Sequence, residues 1–263
     1  DGAVSTAEDN VLKKFYIPAL KEAKKYDGAI GFFSSYGLIR TIQGIDGLIK
    51  NNGKMRLVIG KPLSDEEYKA LIKKPESVEP ILNEFNEEWT KLFSLQHSEV
   101  ALHRLKIFSW LCNNNFLEIK YAIRKNGMYH KKIGVLQDQE GQKIAFAGSI
   151  NFTDNALKPD GSSEQFDVFP DWYEDEFKRH GESKIRWFNN VWKGTEQDTK
   201  TLNIPSEHYK KIQDFFTEND PPQSRIEQET ADLYDRLFGQ KNEVPVNLNP
   251  KLPSKINGRS YKL

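Results

Sequence analysis

Tyr129–Thr153, YHKKIGVLQDQEGQKIAFAGSINFT, is the stretch on which the reading of the chain turns. A strand is expected over Met128 to Leu136, and on a strand alternate side chains leave the same face. His130 and Lys132 therefore point the same way, about 6–7 Å apart at the backbone. Gly134 is next on that face and adds no bulk, so room for a ligand is expected above it. A further strand over Lys143–Gly148 leads into the turn Gly148-Ser149-Ile150-Asn151 and a short helix from Phe152 to Leu157. The first N–H groups of a helix have no intrahelical acceptor and favour an anion. A His, a Lys, a Ser, an Asn and a helix start thus converge on one point of the kind a phosphate diester needs. His-x-Lys alone would occur in roughly three in ten chains of this length. The Gly-Ser-x-Asn at a fixed distance beyond it is rarer by a factor of about five thousand.

Upstream of this stretch, helices alternate with strands. Val11, Phe15, Ile17, Leu20 and Ala23 share a helical face within 6–25, and Ala29–Phe33 is an apolar run after Asp27-Gly28 that reads as a buried strand. A helix over 36–50 ends at Asn51-Asn52-Gly53, and Met55–Gly60 is the next strand. The β-α-β order predicts a parallel pair. Ser64 and Glu67 fit a capping box, and 78–95 and 99–112 read as amphipathic helices. Leu117, Ile119, Tyr121 and Ile123 alternate with Glu118, Lys120, Ala122 and Arg124, and Asn126-Gly127 signals a hairpin. Downstream, Gln165–Phe169 reads as a strand and Phe177, Ile185, Phe188 and Trp192 mark a long helix. The fold class expected is α/β, a mixed sheet flanked by helices on both faces. Residues 1–203 form the expected domain. Residues 204–263, helical at 206–218 and 224–238 and then Pro-containing and aperiodic, read as an extension and linker.

Composition bounds the function loosely. Lys plus Arg and Asp plus Glu both total 38 in 263 residues, so any polyanion-binding surface must be a local basic patch. No run of about 18 apolar residues occurs, so no membrane partner is expected. Asp1–Ser5 is neither basic nor apolar and Cys112 is the one cysteine, which makes a reducing cytoplasm the expected compartment. His97, His103, His180 and His208 lack partners at a metal-ligand spacing, and no cofactor or metal is expected.

His130-x-Lys132 followed by Gly148-Ser149-x-Asn151 resembles the HKD motif of the phospholipase D superfamily. The resemblance is specific over residues 117–170, and Ala29–Ser35 (AIGFFSS) fits the first half of that fold more weakly. It implies a phospholipase D-like sheet and a nucleophilic His130 that forms a covalent phosphohistidine. Lys132 and Asn151 would hold the phosphate oxygens, with Ser149 and Gly148 as substrate-binding positions. One position departs from the pattern. The family's Asp, five residues after the Lys, is Gln137 here, and Asp138, one residue late, would face the other way. In the nuclease and restriction branches a Glu beyond the Gly-Ser-x-Asn matters more, and Glu164 in Ser162–Phe169 (SSEQFDVF) matches it. Its role would be to bind the other ring nitrogen of a histidine, with Asp167 as the rival. Lys131 points to the opposite face.

The family's centre uses two motifs, so a chain with one implies a homodimer, the second histidine protonating the leaving oxygen. The stretch from Glu118 to Trp172 also resembles the domains that precede superfamily 2 helicases in bacterial restriction and phage-defence proteins, and no Walker A sequence occurs here. The expected function is a metal-independent phosphodiesterase, an endonuclease on nucleic acid with DNA ahead of RNA, alongside a helicase domain. The alternatives are a catalytically silent nucleic-acid-binding or dimerisation module, and a phospholipid phosphodiesterase.

Overall fold

The computed structural model describes residues 2–34, 37, 40–61, 111–112, 114–125, 127–158 and 161–204. The expected Ser64 cap, the helix over 78–95, nearly all of that over 99–112, and the segment beyond Ile204 lie outside the described residues. Among the described residues, no helix is long and apolar enough to cross a membrane.

Eight strands form one mixed sheet: β1 (Ala3–Ser5), β2 (Ala23–Ile30), β3 (Lys54–Lys61), β4 (Leu117–Arg124), β5 (Ile133–Asp138), β6 (Lys143–Gly148), β7 (Gln165–Pro170) and β8 (Thr199–Asn203). Their spatial order is β1-β7-β6-β5-β2-β3-β4-β8. β2, β3 and β4 are parallel, and every other neighbour is antiparallel. The helices are α1 (Ile17–Glu22), α2 (Ile42–Lys50), α3 (Asp154–Leu157), α4 (Glu174–Glu176) and α5 (Glu182–Lys193). Wider helical turns at Leu12–Tyr16 and Phe177–Gly181 lead into α1 and α5.

The expected helices on both faces are present, because strand alternation sends apolar side chains both ways. Tyr26, Leu57, Ile59, Ile119, Tyr121, Leu136, Ile144 and Phe166 join Phe15, Leu20, Ile45 and Leu48 of the α1–α2 side in the main core. Ala29, Val58, Ala122, Tyr129 and Ile133 face Phe188 and Val191 of α5 on the other side. On that second face Asp27, 5% exposed, takes both Arg56 Nε and Nη2 at 2.7 Å. The Arg56 guanidinium also lies over the rings of Phe188 and Trp192, at 5.1 and 4.9 Å.

The structure corrects several expectations. The first helix ends at Glu22 rather than residue 25, because Lys25 is already paired with Lys54 on one side and Gln137 on the other. The strand expected over Ala29–Phe33 therefore runs over Ala23–Ile30, and Phe33 bridges only to Phe152. Asn126-Gly127 does not join two neighbouring strands. Gly127 bridges back to Arg124, and the chain then crosses β3 and β2 to reach β5. A local turn signal here loses to the burial of β2 between β3 and β5. β1 and β8 were not anticipated. Both are short edge strands, and Thr199–Asn203 (TKTLN) has too little apolar alternation to declare itself.

Gly134 does not leave room for a ligand. It is buried, and a Cβ built on it would lie 1.9 Å from Cζ of Phe146, whose ring fills that space. Gly134→Ala should accordingly overpack the core and cost about 1–3 kcal/mol. In urea unfolding, the Gly134→Ala/Phe146→Leu double variant should be more stable than the sum of the two single losses predicts.

Candidate active site

Residues 128–132 precede β5 and have no regular secondary structure, so His130 and Lys132 sit on a crossing segment and not on a strand as expected. That segment runs across the ends of β2 and β3. The Tyr129 carbonyl passes so close to Gly60 that a Cβ there would lie 2.1 Å from its oxygen. The Tyr129 ring is buried against the α5 face and anchors the segment. With Tyr129 held inward, His130 is exposed. Lys131 turns toward α5, where its ammonium is 2.9 Å from Glu196 Oε2 and 5.5 Å from the Trp187 ring centre. Lys132, 8% exposed, returns to the His130 side. The expected two-residue spacing thus brings the pair together without a strand.

Lys132 Nζ lies 2.9 Å from His130 Nε2 and donates to the His130 carbonyl at 3.1 Å. An ammonium has only donors, so this contact assigns the lone pair to Nε2 and the ring proton to Nδ1. Burial pushes the Lys132 ammonium below the usual lysine range, and the nearby Glu164 carboxylate works against that shift.

Asn151 joins the pair through the end of β2. Its Oδ1 accepts the Phe32 N–H at 3.1 Å. A backbone N–H can only donate, so this bond fixes the amide's orientation and leaves both Nδ2 hydrogens for another acceptor. Gly31 is the meeting point. A Cβ there would lie 2.9 Å from His130 Cδ2 and 3.3 Å from Asn151 Oδ1. His130 and Asn151 therefore meet over the Gly31 backbone, with Lys132 Nζ against the His130 ring.

Ser149 and Glu164 form an adjoining unit. The Ser149 hydroxyl donates to Glu164 Oε2, and Ser149 and Gln165 exchange backbone and side-chain bonds at 2.8 and 3.1 Å. Gly148 lets the β6 and β7 backbones approach, since a Cβ would lie 2.1 Å from the Gln165 carbonyl oxygen, and its N–H donates to Lys132 O at 3.3 Å. Within the chain, then, the Glu164 carboxylate holds Ser149, while Lys132 meets the His130 ring. Asp167 belongs elsewhere, its charge acting on Lys184 of the α5 face.

Two expectations change. The helix after Asn151 is the four-residue α3, beginning at Asp154, so it offers no substantial dipole at the site. Gln137 and Asp138 lie at the far end of β5, about 13–17 Å along the strand from Ile133, where it begins beside the His130 segment. Asp138 there accepts the Glu140 and Gln142 N–H groups, both at 2.9 Å, and closes the β5–β6 turn. Gly31 and Phe32 were read only as strand residues. A glycine inside an apolar strand run is a sign of close backbone approach, and that sign was available at Gly31.

No family model matches the chain, and no curated protein matches it. Among solved structures it is similar to NucT from Helicobacter pylori, at 13% identity and a TM-score of 0.41, over 76% of this chain and 96% of that one. It is also similar to a phospholipase D family member, Nuc from Salmonella typhimurium, at 13% identity and a TM-score of 0.35, over 70% and 92%. A third likeness is to phosphatidylserine synthase from Haemophilus influenzae Rd KW20, at 16% and 0.37, over 84% of this chain and 42% of that one. At these identities and scores, a functional reading has to stand on the site itself.

Because His130 and Asn151 both press on Gly31, Gly31→Ala should displace the two side chains without touching the core. The expected outcome is a shift of the His130 ring and Asn151 side-chain amide signals in NMR spectra, with the melting temperature of the parent retained.

Proposed function

We propose that this chain is a phosphodiesterase that cleaves nucleic acid, DNA ahead of RNA, through a covalent phosphohistidine at His130. The observation that carries the reading is the 2.9 Å contact between Lys132 Nζ and His130 Nε2 beside the oriented Asn151 amide. A neutral imidazole nitrogen, an ammonium and two amide hydrogens around a bare backbone floor suit a tetrahedral anion. On arrival of the diester, Lys132 turns its donors from the ring to a phosphate oxygen, which frees the Nε2 lone pair. Nε2 attacks phosphorus, the bond to one ester oxygen breaks, and that oxygen takes a proton. Water then attacks the phosphohistidine, gives up a proton, and returns His130 to the neutral ring. Lys132 and Asn151 stabilise the charge that builds on the oxygens in both steps.

A second copy of the chain supplies the acid that protonates the leaving oxygen, so the working unit is a homodimer. The exposure of His130 is compatible with such a pairing. Gln137 lies far from His130, so the departure from the family pattern removes nothing from the ring's surroundings, and this favours an active enzyme over a silent module. The resemblance of residues 118–172 to domains that precede helicases supports a role beside a helicase motor in restriction or phage defence.

Acid-labile, base-stable phosphate should be trapped on the parent protein but not on His130→Ala, and cleavage should persist in excess EDTA. Strict dependence on added magnesium would defeat the mechanism. Glu164→Gln, which removes the carboxylate charge acting on Lys132 and weakens the hold on Ser149, should lower the rate about ten- to a hundredfold, with the fold intact by circular dichroism.

The pH dependence has a definite sign. The reading needs the charged form of Lys132, and burial lowers its pKa. Activity should therefore decline as pH rises, and at a lower pH than an ordinary lysine, about 10.4, would give. In a pH–rate profile Lys132→Arg, whose guanidinium stays charged, should lose that alkaline limb whatever its absolute rate.

A further inference from the structure

Phe32 is 50% exposed, the most exposed large apolar side chain among the described residues. Of the two others, Trp187 lies 4.6 Å from the Lys184 ammonium and Tyr173 packs on Trp172 at 6.4 Å between ring centres. Phe32 stands at the reacting histidine, with its ring edge-on to His130, at 6.1 Å between centres and 83° between planes. Its position is not free to drift. Its own N–H is bonded to Asn151, Gly31 before it carries the floor of the site, and Phe33 after it is stacked on Phe152 at 6.2 Å.

The cost of exposing a phenyl ring is recovered if the ring is covered when the site is filled. A phosphate held by His130, Lys132 and Asn151 brings whatever is esterified to it past this ring. We infer that Phe32 is a specificity residue whose ring stacks on the nucleobase next to the scissile phosphate. This deepens the phosphodiesterase reading and rests on it. An aromatic face accepts any base, so the ring selects substrates that carry a base beside the cut without selecting its identity. Phe32 touches substrate but moves no proton, so its removal should act chiefly on KM.

The test uses the full chain and short single-stranded DNA with one cleavable phosphodiester among methylphosphonate linkages. The nucleotides flanking that linkage either carry bases or are abasic, and kcat and KM are measured on both. The parent should prefer the base-bearing substrate, and Phe32→Ala should reduce that preference about five- to a hundredfold, mostly through KM. Phe32→Trp should restore it. A 2-aminopurine placed beside the linkage should be quenched by the parent and by Phe32→Trp, but not by Phe32→Ala. An equal loss on base-bearing and abasic substrates would overturn the inference. So would a Phe32→Ala variant that turns monomeric in sedimentation, because the ring would then be covered by a second copy. A substitution effect found only on phosphatidylcholine vesicles would overturn it in favour of a lipid. Quenching that depends on Phe32 without any cleavage would leave the ring's role standing and sink the phosphodiesterase reading instead.

Discussion

The site depends on one steric constraint, the passage of residues 128–132 across the ends of β2 and β3. Two glycines make it possible. A side chain on Gly60 would strike the Tyr129 carbonyl, and one on Gly31 would strike His130. The crossing follows from the topology. β2 lies between parallel β3 and antiparallel β5, so the chain leaving β4 must travel back over both strands before it can pair. A direct β4–β5 hairpin would have left His130 at a sheet edge, away from Phe32 and Asn151. The burial of β2 in the middle of the sheet therefore sets where the chemistry-bearing side chains meet.

The two faces of the sheet serve this crossing differently. The α1–α2 side supplies the aromatic core, in which Phe15, Tyr16, Phe146 and Phe166 meet edge to face. Such pairs add about 0.5–1.5 kcal/mol each beyond burial. The α5 side anchors the crossing segment, because Tyr129 and Ile133 pack there with Phe188 and Val191. It also holds the partly buried Arg56 on Asp27, which is itself 2.9 Å from Lys25 Nζ, and the guanidinium lies against two α5 rings, a contact that helps fix how α5 sits on β2 and β3. Lys131, bonded to Glu196, ties the segment to the same side. His130 and Lys132 thus alternate with Tyr129, Lys131 and Ile133, which are all held on the α5 side.

How much of this was legible in the sequence depends on whether the signal was local. The alternation of β4 and the limits of β6 follow from period-two patterning, and both were read correctly. The pairing of His130 with Lys132 was legible for a related reason, since any extended chain puts residues two apart on one side. What required the third dimension was misread. Gly134 looked like space and is filled by Phe146, twelve residues on and opposite it in the β5–β6 register. Asn126-Gly127 looked like a hairpin, yet β4 and β5 are not neighbours in the sheet. Asp138 was weighed against the family's missing acid, yet it caps the turn after β5. The edge strands β1 and β8 owe their structure to the neighbours they cover, and their own residues carry little of the signal.

The charge arrangement explains why the resting site does not need a histidine–carboxylate pair within one chain. Glu164 is occupied by Ser149, and its field reaches Lys132. Lys132 in turn occupies His130 Nε2. The result is a relay of donors, Ser149 to Glu164 and Lys132 to His130, with each acceptor engaged and the buried ammonium at the centre. Burial alone would drive Lys132 toward its neutral form, and Glu164 restrains that drift at a distance without bonding to it. A phosphate entering beside Asn151 brings the negative charge that a partly desolvated ammonium lacks, so Lys132 is better satisfied with the anion bound than without it. In the proposed reaction, moving from Nε2 to a phosphate oxygen gives the lysine a charged acceptor and uncovers the nitrogen proposed to attack. Binding and activation in that reaction are coupled through one side chain, and Gly31, lacking a Cβ, lets the His130 ring and the Asn151 amide lie against the backbone.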